Sequence, residues 1–169
     1  MKFPAHRYPF SEIGKGIFFF VTDLGIYYTV QISNVANKVE ENQLLFNSGN
    51  VYEISFFKTG EETAYDQSVF ETLMHIIVTN YLAKNDLSVF NFVCDTTDER
   101  GKFRARLFDM WFSRAYDYYR GLAKVDFKVP GFEGKEYDVS LLISVKHPHF
   151  RQYIFDFGKL LKHEYSKVS

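Results

Sequence analysis

Asp95, Asp98, Glu99, Arg100 and Arg104 crowd one short stretch of the chain. They fall where an apolar run ending at Cys94 gives way to a helix-forming segment that runs to about Tyr119. At a helix start the first N–H groups point outward unpaired. An anion or phosphate held by Arg100, Arg104 and that backbone is therefore one chemistry the stretch could perform. A carboxylate role for Asp95, Asp98 and Glu99, with a divalent cation, is a second, although their spacing matches no strict metal motif. A third possibility is structural. On a helical wheel Arg104 lies inside the apolar arc of Phe103, Leu107, Phe108, Met110, Trp111 and Phe112. A charge on a core face needs a partner, and Asp95 is the nearest in sequence. Thr96 and Glu99 fit a capping box, and acids in a first turn suit the helix dipole. Asp98 and Glu99 thus have a structural explanation as well.

The remaining candidates are weaker. His147-Pro148-His149 places two imidazoles two residues apart, but Pro148 opens a helix and turns them away from each other. A capping or exposed role is the expectation. His75 and His163 fall on polar helix faces. Asn80 falls inside an apolar arc and reads as a satisfied buried polar group. Cys94 is the only cysteine, which excludes an internal disulfide and any zinc site built on several thiols. It reads as a small buried hydrophobe in a reducing compartment. No phosphate loop, nucleophile elbow, zinc-protease motif or RNA-recognition signature occurs. No cofactor and no metal are expected.

Around these residues the hydrophobic pattern sets the elements. Ile17–Val21 and the alternating run from Ile26 to Ser33 predict a hairpin turning at Asp23-Leu24-Gly25. Ile26, Tyr28, Val30 and Ile32 share one face; Tyr27, Thr29, Gln31 and Ser33 share the other. Residues 51–58 predict a third strand. Asp66 caps a helix over about 67–84. Leu87–Cys94 reads as an interior strand buried on both faces. Residues 122–145 form a second hairpin, and a helix follows His147-Pro148. The order βββ-α-β-α-ββ-α predicts an α+β fold. Its mainly antiparallel sheet has five to six strands, with three helices largely on one face.

The chain has 169 residues, enough for a single globular domain spanning 1–169. Twenty basic residues nearly balance twenty-one acidic ones, so nucleic acid is a disfavoured partner. Residues 1–7 lack a signal-peptide core and no apolar run is long enough to span a membrane, so a cytoplasmic location is expected. Aromatic residues make up 19%, well above the ordinary level. Many belong in the core. Tyr27 and Thr29 on the open sheet face, with Trp111, form a candidate interface.

Two segments carry a resemblance. One is Cys94-Asp95 with its acidic cluster, Lys/Arg-rich turn and Met110-Trp111-Phe112. The other is Tyr8-Pro9-Phe10 followed by the run from Phe18 to Tyr28. Together they resemble a family of small bacterial proteins known only as a domain of unknown function. The resemblance implies a cytosolic bacterial protein and carries over no catalytic residue.

The aromatic excess, near-zero charge and missing catalytic motif favour a non-enzymatic interaction or regulatory module of antitoxin or immunity type. Its partner would be another protein or a second copy. The rival is a small enzyme or an anion- or nucleotide-binding protein using residues 95–104.

Overall fold

The structure is a computed structural model that describes residues 6–35, 50–60, 66–94, 105–106, 108–110, 112–113, 121–130, 134 and 136–166. The chain forms two compact units. Met1–Ser33 with Glu53–Asp86 makes the first, and Asn34–Tyr52 with Leu87–Ser169 makes the second.

The first unit holds β1 (Phe10–Gly14), β2 (Ile17–Val21), β3 (Tyr27–Asn34, as far as Ser33), most of β4 (Val51–Thr59) and α1 (Gln67–Ile77). Its strands neighbour one another in the order β1-β2-β3-β4. The β1–β2 and β2–β3 pairs are antiparallel. The β2–β3 turn closes through Gly25 N–H to Thr22 O and Thr22 N–H to Ile26 O, both at 2.9 Å. Gly25 takes φ +74, a conformation that glycine adopts without steric penalty. The predicted alternation is present: Ile26, Tyr28, Val30 and Ile32 are all buried.

Asp66 caps α1, its carboxylate accepting from Ser68 N–H at 2.9 Å. Val69, Phe70, Leu73, Met74, Ile76 and Ile77 give the helix its buried stripe. The α-helix is shorter than expected. Past Ile77 the backbone widens into a π-helical turn, Val78–Leu82, with Ala83 N–H bonded to Val78 O at 2.8 Å. Asn80 lies in this turn and donates to Ile76 O at 3.1 Å, but it is half-buried and not the buried polar group expected.

The second unit holds the first residues of β4, then β5 (Val89–Cys94), β6 (Leu122–Pro130), β7 (Glu136–Ser144) and α2 (Phe150–Ser166). Its strand order is β4-β5-β7-β6, with β7 antiparallel to both β5 and β6. β5 is interior, and Val89 and Phe90 are fully buried on its two faces. Odd-numbered residues of the β6–β7 hairpin face α2. Val129, Val139, Leu141 and Ile143 pack with Tyr153, Phe157 and Leu161. Helical residues also occur at 105–106, 108–110 and 112–113. Phe108 meets Phe92 on the even-numbered face, ring centroids 4.5 Å apart. Leu142 on that face is also fully buried.

Among the described residues the fold is α+β, with a mainly antiparallel seven-strand pattern, two α-helices and the π-helical turn that continues the first of them. Seven strands exceed the expected five to six because Phe10–Gly14 pairs with β2. Its sequence, FSEIG, shows no clean alternation, since Ser11, Glu12 and Ile13 are all exposed and the register shifts between Glu12 and Gly14. Such a bulge bends an edge strand and removes its period-two signature.

Candidate functional site

Asp95, Asp98, Glu99, Arg100, Arg104 and Trp111 lie outside the described residues. The strand that leads to them does not. Cys94 pairs with Asp138, and Lys128 pairs with Asp138 on the other side. The end of β5 therefore adjoins the charged end of the β6–β7 hairpin.

On that hairpin the even-numbered face carries Lys124 and Asp126 of β6 and Ser140 of β7, with Asp126 opposite Ser140 in register. Lys124 Nζ donates to Asp126 Oδ1 and to Asp109 Oδ1. Ser140 Oγ donates to the same Asp126 oxygen at 2.7 Å. The lysine side chain is only 6% exposed, whereas both carboxylates are about half exposed. Its ammonium lies 5.4 Å from the centre of the Phe108 ring. The ammonium is neutralised by two carboxylates, and the Ser140 proton is given to a carboxylate. This arrangement pins helical residues 108–109 to the hairpin. The signal available in the sequence was the alternation of charge at 124, 126 and 128.

Tyr27 and Thr29, the two described interface candidates, do share a face. Register places Phe19 opposite Thr29 and Val21 opposite Tyr27, so all four side chains lie on the same side of the β2–β3 pair. Phe19 and Tyr27 stack, centroids 5.9 Å apart and planes 25° from parallel. Tyr27 is 50% exposed and Thr29 is half-buried. Phe57 on β4 belongs to the same side, because its neighbour Phe56 contacts Tyr28 on the opposite one. Phe57 is 55% exposed. The opposite, even-numbered side is the one that meets α1 and its π-helical turn, through contacts such as Phe18 with Tyr81.

A polar cluster in the first unit has no counterpart in the sequence reading. The segment ahead of β1 lies against α1. Tyr8 N–H donates to Thr72 Oγ1 at 2.8 Å, and the Tyr8 hydroxyl donates to Asp66 at 2.5 Å. Arg7 Nη1 donates to His75 Nδ1 at 3.0 Å. His6 Nε2 is 3.3 Å from the Asp23 carboxylate. Burial, reinforced by the hydrogen bond to Asp66, pushes the Tyr8 phenol up to about 12. Burial of the His75 ring, and secondly the Arg7 charge, hold that imidazole below its usual value. His75 is thus neutral at pH 7 and accepts from Arg7. No local periodicity links Arg7 to His75, which stand 68 residues apart.

His147 is buried, and its Nδ1 accepts from His149 N–H at 3.0 Å. Its ring packs edge-on against Tyr153 at 4.8 Å. That fits the capping alternative of the two expected roles, but the two imidazoles do not turn apart: the His147 and His149 ring centroids lie 6.1 Å from each other. Pro148 and His149 form a turn ahead of α2, which begins at Phe150 and not at Pro148. Among the described residues, no group of three or more His, Cys, Asp or Glu side chains could hold a metal ion. Nor is any described helix long and apolar enough to cross a membrane.

Residues 65–159 match a family described as a family of unknown function (DUF6169). The match spans more than half of the chain. It takes in Asp66, Thr72, His75, Asp109, Lys124, Asp126 and Ser140. It leaves out Arg7, Tyr8, Phe19 and Tyr27. No curated protein and no solved structure matches.

Proposed function

The chain belongs to that family of unknown function, and from this premise we propose that it is a non-enzymatic interaction module. Its docking surface is the odd-numbered sheet face of the first unit. One observation carries the proposal: the stacked Phe19–Tyr27 pair on the side of the β2–β3 hairpin facing away from α1. A large amphipathic ring held rigid by a neighbour loses little conformational entropy when a partner covers it. Phe57 and Thr29 extend the surface on either side. The face lies ahead of the matched stretch, so the proposal concerns this chain's own residues and not the family as a whole.

In its finer form the proposal is a cytosolic bacterial regulatory partner of antitoxin or immunity type, docking another protein or a second copy. The near-zero net charge, lone cysteine and high aromatic content support it.

The test is a double variant, Tyr27→Ser with Phe57→Ser, compared with wild type by light scattering and by affinity capture from the native host. The wild type is expected to self-associate or to retain a defined partner. The variant should lose that association at an unchanged melting temperature. A wild type that stays monomeric and retains nothing would overturn the proposal. So would a folded variant that associates as the wild type does.

A further inference from the structure

The inward face of α2 is settled by Tyr153, Phe157 and Leu161, which pack on the β6–β7 hairpin. Its outward face is built differently. Arg151, Phe155, Lys159 and Lys162 are all exposed. At 3.6 residues per turn these four fall within an arc of about 80°, opposite Tyr153 and Phe157. No acidic residue of α2 shares that arc. The nearest, Asp156, stands to one side, where its carboxylate accepts from the Gln152 amide at 2.8 Å. Among the described residues, no carboxylate pairs with Arg151, Lys159 or Lys162.

Phe155 is the apolar centre of this basic stripe. It is 58% exposed, more than any other described phenylalanine. Lys159 Nζ lies 4.5 Å from the centre of its ring. A cation is attracted to a ring face, so ring and ammonium are held together on the outward side.

We propose that this stripe docks an acidic helical segment of a partner protein. The charge pattern selects the occupant. Arg151 and Lys159 stand eight residues apart, about 12 Å along the helix axis. A second helix laid along α2 presents carboxylates at i and i+8 with that same spacing, and an apolar residue at i+4 meets Phe155 between them. Lys162 continues the row by one more turn. An anionic membrane is a poorer match. A helix lying in a bilayer surface sinks a broad apolar face, and the apolar face of α2 is already taken by the hairpin. Nucleic acid is a poorer match too, since the chain carries a net charge of -1 and the stripe would neutralise few phosphates. The stripe lies in the second unit, so it stands apart from the Phe19–Tyr27 surface.

The probe is a fluorescein-labelled, alanine-based helical peptide. It carries Glu, Leu, Glu and Glu at the spacing of Arg151, Phe155, Lys159 and Lys162. Its control has Gln for each Glu. By fluorescence anisotropy the wild type should bind the Glu peptide with a Kd below about 1 mM, weakening as salt is added. The Gln peptide should bind several-fold more weakly. Arg151→Glu with Lys159→Glu should weaken the Glu peptide about tenfold and prefer a peptide with Lys at those positions. Phe155→Ser should weaken it several-fold. Lys162→Glu, a single exposed change, should do the same and keeps the test decisive if the double variant does not fold. Lys15→Glu with Lys84→Glu makes the same change in net charge on the first unit and should bind as the wild type does. The proposal is overturned if the wild type does not distinguish the Glu peptide from the Gln peptide. It is overturned if the first-unit control weakens binding as much as the α2 variants do. Tighter binding to phosphatidylserine–phosphatidylcholine vesicles or to a duplex oligonucleotide through the same residues would also overturn it, in favour of that occupant.

Discussion

The hydroxyl of Tyr8 lies 2.5 Å from Oδ2 of Asp66, whose other oxygen caps α1 at Ser68. One carboxylate thus starts the helix and ties the segment before β1 to it. Tyr8 is 5% exposed, so its hydroxyl has few other partners to turn to.

Removing either end of this contact should have unequal effects. Tyr8→Phe deletes one hydrogen bond and leaves Asp66 its capping bond, a loss of about 1 kcal/mol. Asp66→Ala removes the cap, worth about 1–2 kcal/mol, and strands the buried hydroxyl, which costs about 1–3 kcal/mol more. Urea unfolding of the two variants measures the difference. Equal losses would mean that the two roles of Asp66 are not both present.

The same contact predicts an alkaline transition. The Tyr8 phenol is raised to about 12 from an ordinary 10.0, so the fold favours the neutral form. Its contribution is fully present below pH 10 and is lost as pH rises through about 12. A tyrosinate absorbance titration should show one late-ionising phenol that disappears in Tyr8→Phe. Stability should fall more steeply in this window for wild type than for the variant.

How much of this was legible depends on how far apart the partners lie. Gly25, Asp66 and the alternation from Ile26 to Ile32 announce themselves within a few residues, because turn, cap and period are local physics. Tyr27 and Thr29 were placed on one face by period alone. β1 escaped because its bulge and exposed Ser11-Glu12-Ile13 erase the alternation. Arg7 and His75 escaped for a different reason. Each looks like an ordinary solvated polar residue until the backbone brings the segment ahead of β1 onto α1. Lys124 was readable as part of a charged strand, but its partner Asp109 comes from another element, and Ser140 is set opposite Asp126 only by hairpin register.

That Lys124 cluster predicts an asymmetry between deleting the cation and deleting its partners. Lys124→Met keeps an unbranched chain beneath Phe108 and releases two half-exposed carboxylates to water, so it should change stability by less than about 1.5 kcal/mol. The double change Asp109→Ala with Asp126→Ala leaves a buried ammonium without either carboxylate. It should cost about 3–5 kcal/mol, and the triple variant that adds Lys124→Met should recover much of it. Denaturant midpoints for the three proteins test this. A Lys124→Met loss as large as the double-aspartate loss would instead make the ion cluster itself the source of stability.

Gly16 and Gly25 take nearly the same backbone angle, φ +71 and +74, and their substitution should nevertheless differ. At Gly25 an added Cβ meets nothing within 4 Å, so Gly25→Ala carries only the left-handed penalty of about 1–2 kcal/mol. At Gly16 the Cβ would stand 2.4 Å from the carbonyl oxygen of Ile32. That oxygen belongs to backbone and cannot swing aside as a side chain would. Gly16 also accepts from Ile32 N–H at 2.8 Å, so relieving the clash pulls apart a bond that closes the β2–β3 pair. Gly16→Ala should therefore cost at least about 2 kcal/mol more than Gly25→Ala. The loss should appear as faster amide exchange along β3, the strand that presents Tyr27 and Thr29. If the two variants melt together, the first unit can widen its hairpin freely, and the rigidity argued for the Phe19–Tyr27 surface is lost with it.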